Sequence, residues 1–186
     1  MSKSKNSPTA TTASSGRLSA SDDALSDMRK LIPALLRARE QIMQHVRPVL
    51  WEYELTEQQW RILRALVDGG TCDMGELGRR SQIVPPSLSR TIPNMERRGL
   101  VARVPSGSSP HRILVSVTSA GLELFNQAKT KSDEALTKLM DDMDTSLVKK
   151  AGIAIAELLA DIARANDDLG PAVGNDHVVP PRATSP

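Results

Sequence analysis

Residues 56–118 alternate period and punctuation in an order that few folds accommodate. TEQQWRILRALVDGG carries apolar groups at helical spacing, opens on Thr56 with Gln59 three residues later, and stops at Gly69-Gly70. That opening is a capping box, in which Thr56 and Gln59 satisfy each other's free amides. A second short helix, capped by Asp73 with Glu76, runs through Arg80. Pro85-Pro86 then disfavour helix in the residue before each, so a third helix is expected from about Pro86 to Gly99. Two short β runs, LVARV and RILVSV, flank the Pro/Gly/Ser-rich tip PSGSSPH and predict a hairpin with Ile113, Val115 and Val117 on one face. Helix, turn, helix and hairpin in this order predict a winged helix-turn-helix, in which one helix enters a major groove and the wing reaches the backbone or minor groove.

The remainder reads mostly as helix. A long helix is expected from near Asp22, interrupted by Pro33, which suits a first-turn position, and then continuing until it meets Pro48. Its stripe is Leu35, Leu36, Ile42, Met43 and Val46. Thr118 caps another helix carrying Leu122, Phe125, Ala128, Ala135, Leu139 and Met143. A last helix over about 145–168 repeats Leu147, Ala151, Ile155, Leu158 and Ile162. These stripes are too apolar to face water, which predicts a dimer interface built from both chain ends. The fold class expected is mainly α with a small β-wing: a winged helix-turn-helix domain flanked by N- and C-terminal dimerisation helices. The boundaries are a disordered tail over 1–20, a dimerisation helix over 21–54, the winged domain over 55–118, dimerisation helices over 119–170 and a second disordered tail over 171–186.

Charge follows the same division. The formal net charge of the chain is only +2, but residues 78–112 hold seven arginines against one acid, Glu96. Residues 119–170 hold six Lys/Arg against ten Asp/Glu. A basic centre on an acidic scaffold fits a nucleic-acid footprint. On the third helix, Leu88, Ile92 and Met95 share a face that should anchor in the core. Ser87, Arg90, Thr91, Asn94 and Arg98 fall opposite, without an acid among them. That is the chemistry a groove requires: Arg for guanine edges, Asn for adenine, hydroxyls for phosphates. Pro93 should loosen this helix, since it removes the amide that would bond the Ser89 carbonyl. Arg112 and His111 sit at the base of the wing tip.

An enzyme is not expected: there is no phosphate loop, nucleophile elbow or metal spacing, and His45, His111 and His177 are scattered. No cofactor or metal is implied. No apolar run approaches the ~18 residues of a membrane span, and no secretory signal is visible, so a cytoplasmic location is expected. Cys72 is the single cysteine, which leaves oxidation sensing as one alternative to ligand control. A winged-helix protein-interaction module without DNA affinity is another.

With these elements in place, residues 25–168 resemble the MarR family of transcriptional regulators. LLRAREQIMQHVRPVLWEYELTEQQWRILRAL, SLSRTIPNMERRGLVARV and RILVSVTSAG carry the likeness. The first of these looks most like the branch controlling homoprotocatechuate and related aromatic-acid degradation. The resemblance implies a homodimer that binds a palindromic operator in double-stranded DNA, usually as a repressor, and that releases it when a small aromatic carboxylate binds. It carries Ser87, Ser89, Arg90, Thr91 and Asn94 onto the recognition helix and Arg112 onto the wing. The family's wing motif Asp-x-Arg-Arg stands here as Ser109-Pro110-His111-Arg112, without its Asp, and Pro93 replaces a polar helix former. For the effector, Arg39 lies within the apolar stripe of the first helix. Such a guanidinium requires an anion: an acid of the protein or of its partner, or a ligand carboxylate. His45, Trp51 and Trp60 are close by in sequence. With Tyr53, Trp51 and Trp60 make three of the chain's four aromatic residues, and they could wall an aromatic ring or form the junction core.

Overall fold

The computed structural model of the protein describes residues 12–106 and 109–168, with side chains over 22–104 and 113–166. The tail expected over 171–186, the first eleven residues, and the side chains of His111 and Arg112 lie outside the described residues. Two compact units divide the chain, Met1–Leu139 and Met140–Pro186.

In the first unit, helix α1 spans Thr12–Glu52. It therefore begins inside the stretch expected as a tail, and it runs through both Pro33 and Pro48, where an interruption and an end were expected. The carbonyls that these prolines leave without an amide belong to Arg29 and Gln44, both exposed residues. Water can take the place of the missing donors, so the helix continues. The chain leaves α1 at a tight corner where the Leu50 carbonyl accepts from the amides of Tyr53 and Leu55 and Glu54 takes φ 52°.

Helix α2 (Glu57–Gly69) opens on the capping box expected from sequence. The Thr56 hydroxyl accepts from the Gln59 amide at 3.2 Å, and Gln59 Oε1 accepts from the Thr56 amide at 2.9 Å. Gly70, at φ 70°, ends the helix. Strand β1 (Cys72–Asp73) leads into α3 (Met74–Ser81), whose first turn is capped by the Asp73 carboxylate at 2.8 Å from the Glu76 amide. Helix α4 spans Pro85–Arg97. Strands β2 (Val101–Ser106) and β3 (Ser109–Val117) form the wing, and the sheet order is β1-β3-β2, all antiparallel, with Val101 opposite Val117 and Cys72 opposite Val115.

Helix α5 (Ser119–Asp141) starts at Thr118 as expected: its hydroxyl accepts from the Gly121 amide at 3.0 Å and donates to the Gly99 carbonyl at 2.6 Å. Gly121 is required there because a Cβ would collide with the Leu100 carbonyl. The buried stripe of α5 is Gly121, Phe125, Ala128 and Ser132. Leu122 is exposed, and Met143 lies beyond the helix end. The core joins Val46 and Leu50 of α1 to Trp60, Ile62, Leu63 and Leu66 of α2, Leu77, Leu88, Ile92, Met95, Val115, and Phe125 of α5. Leu25, Ile32, Leu35, Leu36 and Ile42 of α1 stay exposed. In the second unit, α6 (Thr145–Asp168) exposes Leu147, Ile155, Leu159 and Ile162. No helix among the described residues is long and apolar enough to cross a membrane, and no group of them could hold a metal ion.

Candidate nucleic-acid interface

Helix α4 presents the two faces expected of it. Leu88, Ile92 and Met95 are fully buried, while Ser89, Arg90, Asn94, Arg97 and Arg98 are exposed and Ser87 and Thr91 half-buried. The helix starts one residue earlier than predicted, with Pro85 at its first position and Val84 before it, without a side-chain cap. Pro85 and Pro86 carry no N–H, and the Ser87 amide bonds the Val84 carbonyl at 3.0 Å. This N-terminus therefore offers few amides to a phosphate, and contacts must come from side chains. Helix α4 continues through Pro93 to Arg97. Behind it, the exposed C-cap Arg98 precedes Gly99 at φ 70°.

One flank of α4 is tied to the corner between α1 and α2. The Thr91 hydroxyl donates to the Ser87 carbonyl at 2.8 Å. Asn94 Oδ1 accepts from Gln59 Nε2 at 3.2 Å. Arg98 donates to the Glu54 carbonyl at 2.7 Å and approaches Gln59 Oε1 at 3.4 Å. Arg98, expected among the groove-facing groups, thus braces the corner. Three other arginines of the basic centre are also engaged among the described residues. Glu76 is clamped between Arg79 and Arg80, and Arg103 of β2 holds Glu96 at 2.6 Å. Hydrogen bonds from these arginines hold both carboxyls below the usual carboxylate range. Glu96, the one acid of the basic centre, thus stays ionised with its charge balanced by Arg103. The side chains of Ser89, Arg90 and Arg97 have no hydrogen-bond or ion-pair partner among the described residues and project from the outer face. Arg97 was missed by the sequence reading, although counting about 100° per residue from Leu88, Ile92 and Met95 places it almost diametrically opposite them.

The four residues expected around an effector do not converge within one subunit. Arg39 is half-exposed and ion-paired with Glu57 at the start of α2, so its anion is an acid of its own chain. Glu57 also takes Arg47 at 3.3 Å, and Arg47 holds Glu40 at 2.5 Å, keeping the Glu40 carboxyl below its ordinary range. His45 is exposed and Trp51 is 70% exposed. Around α1, Arg39, His45 and Trp51 fall roughly 120° apart. Trp60 is in the core, stacked on Phe125 with centroids 4.7 Å apart, and Arg64 lies over its ring at 5.3 Å. A second residue that sequence reasoning did not single out is Arg61. Its Nε is buried without a partner, its terminal nitrogen is 3.4 Å from the Gln82 carbonyl, and burial followed by the nearby Arg39 charge lowers its pKa. With Arg64, Asp68, Arg80 and Gln82 it lines a cleft of about 600 Å³ between α2 and α3.

Cys72 is buried on β1, and burial pushes its thiol up, more than the Arg80 charge pulls it down. It is therefore a protonated core residue near neutral pH, poorly suited to sensing oxidants. Labelling of the native protein by a thiol reagent at pH 8 should run roughly tenfold or more slower than for free cysteine. Cys72→Ser should leave DNA binding under peroxide unchanged. Fast labelling, or a peroxide response that disappears in the variant, would restore the redox reading.

A capped helix-turn-helix, a wing hydrogen-bonded to it, and a cationic outer helix face define a winged-helix DNA-binding protein. The sequence profile described as "MarR family" matches residues 53–109. The HTH-type transcriptional regulator FarR of Neisseria gonorrhoeae is 33% identical over 135 residues, covering 73% of this chain and 90% of its own. The homoprotocatechuate degradative operon repressor of Escherichia coli is 35% identical over 127 residues, covering 68% of this chain and 86% of its own. Among solved structures, NadR in complex with 4-hydroxyphenylacetate superposes with a TM-score of 0.60 at 31% identity, over 70% of this chain and 89% of that one. The chain belongs to the MarR family of transcriptional regulators. It is a regulator and not an enzyme, from a family whose members bind operator DNA as dimers.

Proposed function

We propose that this protein represses an operon for the breakdown of an aromatic acid and leaves its operator when that acid, or a close relative, binds. Two similarities support the reading: the Escherichia coli relative is an operon repressor of homoprotocatechuate degradation, and NadR was solved with 4-hydroxyphenylacetate. The observation that carries it for this chain is the excess of guanidinium at the α1–α2 junction. Arg39, Arg47 and Arg61 stand there against two acids, Glu40 and Glu57, and Arg61, beside Arg39, keeps a buried Nε without a partner. An incoming carboxylate would complete that charge set, with Arg39 as its bidentate receiver. His45 and Trp51 would reach such a ligand only from other faces of α1, as in a dimer where a second subunit lies against it. Trp60 would support the site from beneath, under Arg64. The apolar stripe of α1 and that of α6 are the surfaces the dimer would cover. On α4, Ser87, Ser89, Arg90, Thr91, Asn94 and Arg97 would serve DNA, with Arg98 bracing and Arg112 in the wing.

Release follows if the acid binds better to the dimer whose recognition helices are misplaced for half-sites about one helical turn apart. The test is fluorescence anisotropy on a duplex from upstream of the protein's own gene, challenged with hydroxyphenylacetic, benzoic and cinnamic acids. One acid should displace the DNA, and Arg39→Ala should keep its DNA affinity while losing the response. An Arg39→Ala protein released by the same acid at the same concentration would remove Arg39 from the sensor, and no displacement by any acid would remove the effector class.

A further inference from the structure

We propose that Gln59 decides which bases the recognition helix accepts, by holding Asn94 so that it offers DNA its N–H donors and not its carbonyl. This rests on the reading of α4 as the groove helix. The orientation of both amides follows from donors that cannot be reversed. The Thr56 backbone N–H lies 2.9 Å from one end of the Gln59 side chain, and a backbone amide only donates, so that end is Oε1. The Arg98 guanidinium, also a donor only, approaches the same atom at 3.4 Å. The other end of Gln59 is therefore Nε2, and it lies 3.2 Å from Asn94. A donor there requires Asn94 to present Oδ1 inward, which turns its Nδ2 away from the protein. Gln59 is 6% exposed and belongs to the capping box, so this setting is fixed by the fold before DNA arrives.

The consequence departs from the adenine expected of an outward Asn. A two-bond pair with adenine needs a carbonyl for the N6 amine and an N–H for N7. Adenine N7 can accept one of these N–H donors, but with the Asn94 carbonyl turned to Gln59 the adenine amine beside it is left without an acceptor, and cytosine, which shows only a donor, is worse. Guanine O6 and N7, or thymine O4, accept what Asn94 offers. The base pair under Asn94 should therefore place guanine or thymine against it. Gln59 itself touches no DNA; it is a positioning residue.

The test is selection of binding sites from randomised duplexes by the full chain, its Asn94→Ala variant and its Gln59→Glu variant, with thermal unfolding of each as the check on folding. Glutamate keeps the capping box but carries only acceptors, so Asn94 must turn Nδ2 inward and Oδ1 outward. Wild type should enrich guanine or thymine at one position per half-site. Asn94→Ala should make that position indifferent and leave the rest of the site unchanged. Gln59→Glu should shift it toward adenine or cytosine by about tenfold, whatever its added charge does to overall affinity. Adenine selected by wild type at the position that Asn94→Ala erases would overturn the proposal, even if Gln59→Glu did not fold. So would a folded Gln59→Glu protein that enriches the wild-type base. A wild type that enriches no sequence would take down the groove reading of α4 itself, and this proposal with it.

Discussion

Replacing Trp60 by alanine should destabilise the protein by about 3–5 kcal/mol. The ring is 5% exposed, stacked on Phe125 at an interplanar angle of 26°, with the Arg64 guanidinium 5.3 Å from its centroid. Truncation loses the transfer energy of the indole and leaves a cavity where α2 meets α5, two elements this stack joins. The loss should exceed what the Arg64 contact alone supplies, which is about 0.5–1 kcal/mol at an exposed position. Urea unfolding at one fixed protein concentration measures it, since a dimer's stability depends on concentration. Trp60→Phe should retain most of the stability. A loss below about 1 kcal/mol for alanine would mean that Trp60 is not a core residue in solution. It would then return to the role the sequence also allowed, the wall of a ligand pocket.

That ambiguity shows what was legible and what was not. Local devices were readable because their chemistry is complete within a few residues. Thr56 with Gln59, Asp73 through the Glu76 amide, and Thr118 all cap the helices assigned to them, while the Glu76 carboxylate goes to Arg79 and Arg80 instead. The buried face of α4 followed from the helical period alone. Which anion Arg39 meets was not legible, because its neighbours Leu35, Leu36 and Ile42 form a stripe that this subunit leaves exposed. Periodicity identifies a stripe without saying what covers it, and Glu57, the partner of Arg39, is visible only once α2 folds back on α1. The engagement of Arg98 and Asn94 by Glu54 and Gln59 is likewise tertiary, over separations of 44 and 35 residues. Pro33 and Pro48 show the opposite failure. A strong local rule predicted breaks, yet one helix spans Thr12–Glu52, anchored in the core by Val46 and Leu50. Burial at one end of a helix can offset a cost of ~3 kcal/mol per proline.

Removing both Arg90 and Arg97 should weaken operator binding more than any other pair of substitutions on α4, because they are its cations without an internal partner among the described residues. Each alone, changed to alanine, should cost about 1–3 kcal/mol if it reads a base edge, or about 5- to 150-fold in affinity. The salt dependence separates two roles. Where the arginine grips a phosphate, its removal should lower the slope of log K against log salt by about 0.9 and weaken all sequences alike. Where it reads a base, its removal should relax discrimination at one position while leaving the slope nearly unchanged. Arg79→Ala is the matched control: it removes a charge from the same basic centre, but one already held by Glu76, and its effect should be small. Equal effects for Arg79, Arg90 and Arg97 would mean that only the summed charge matters, and that α4 has no defined reading face. Binding of duplex DNA that is insensitive to salt and unchanged in the double variant would favour a winged helix adapted to a protein partner.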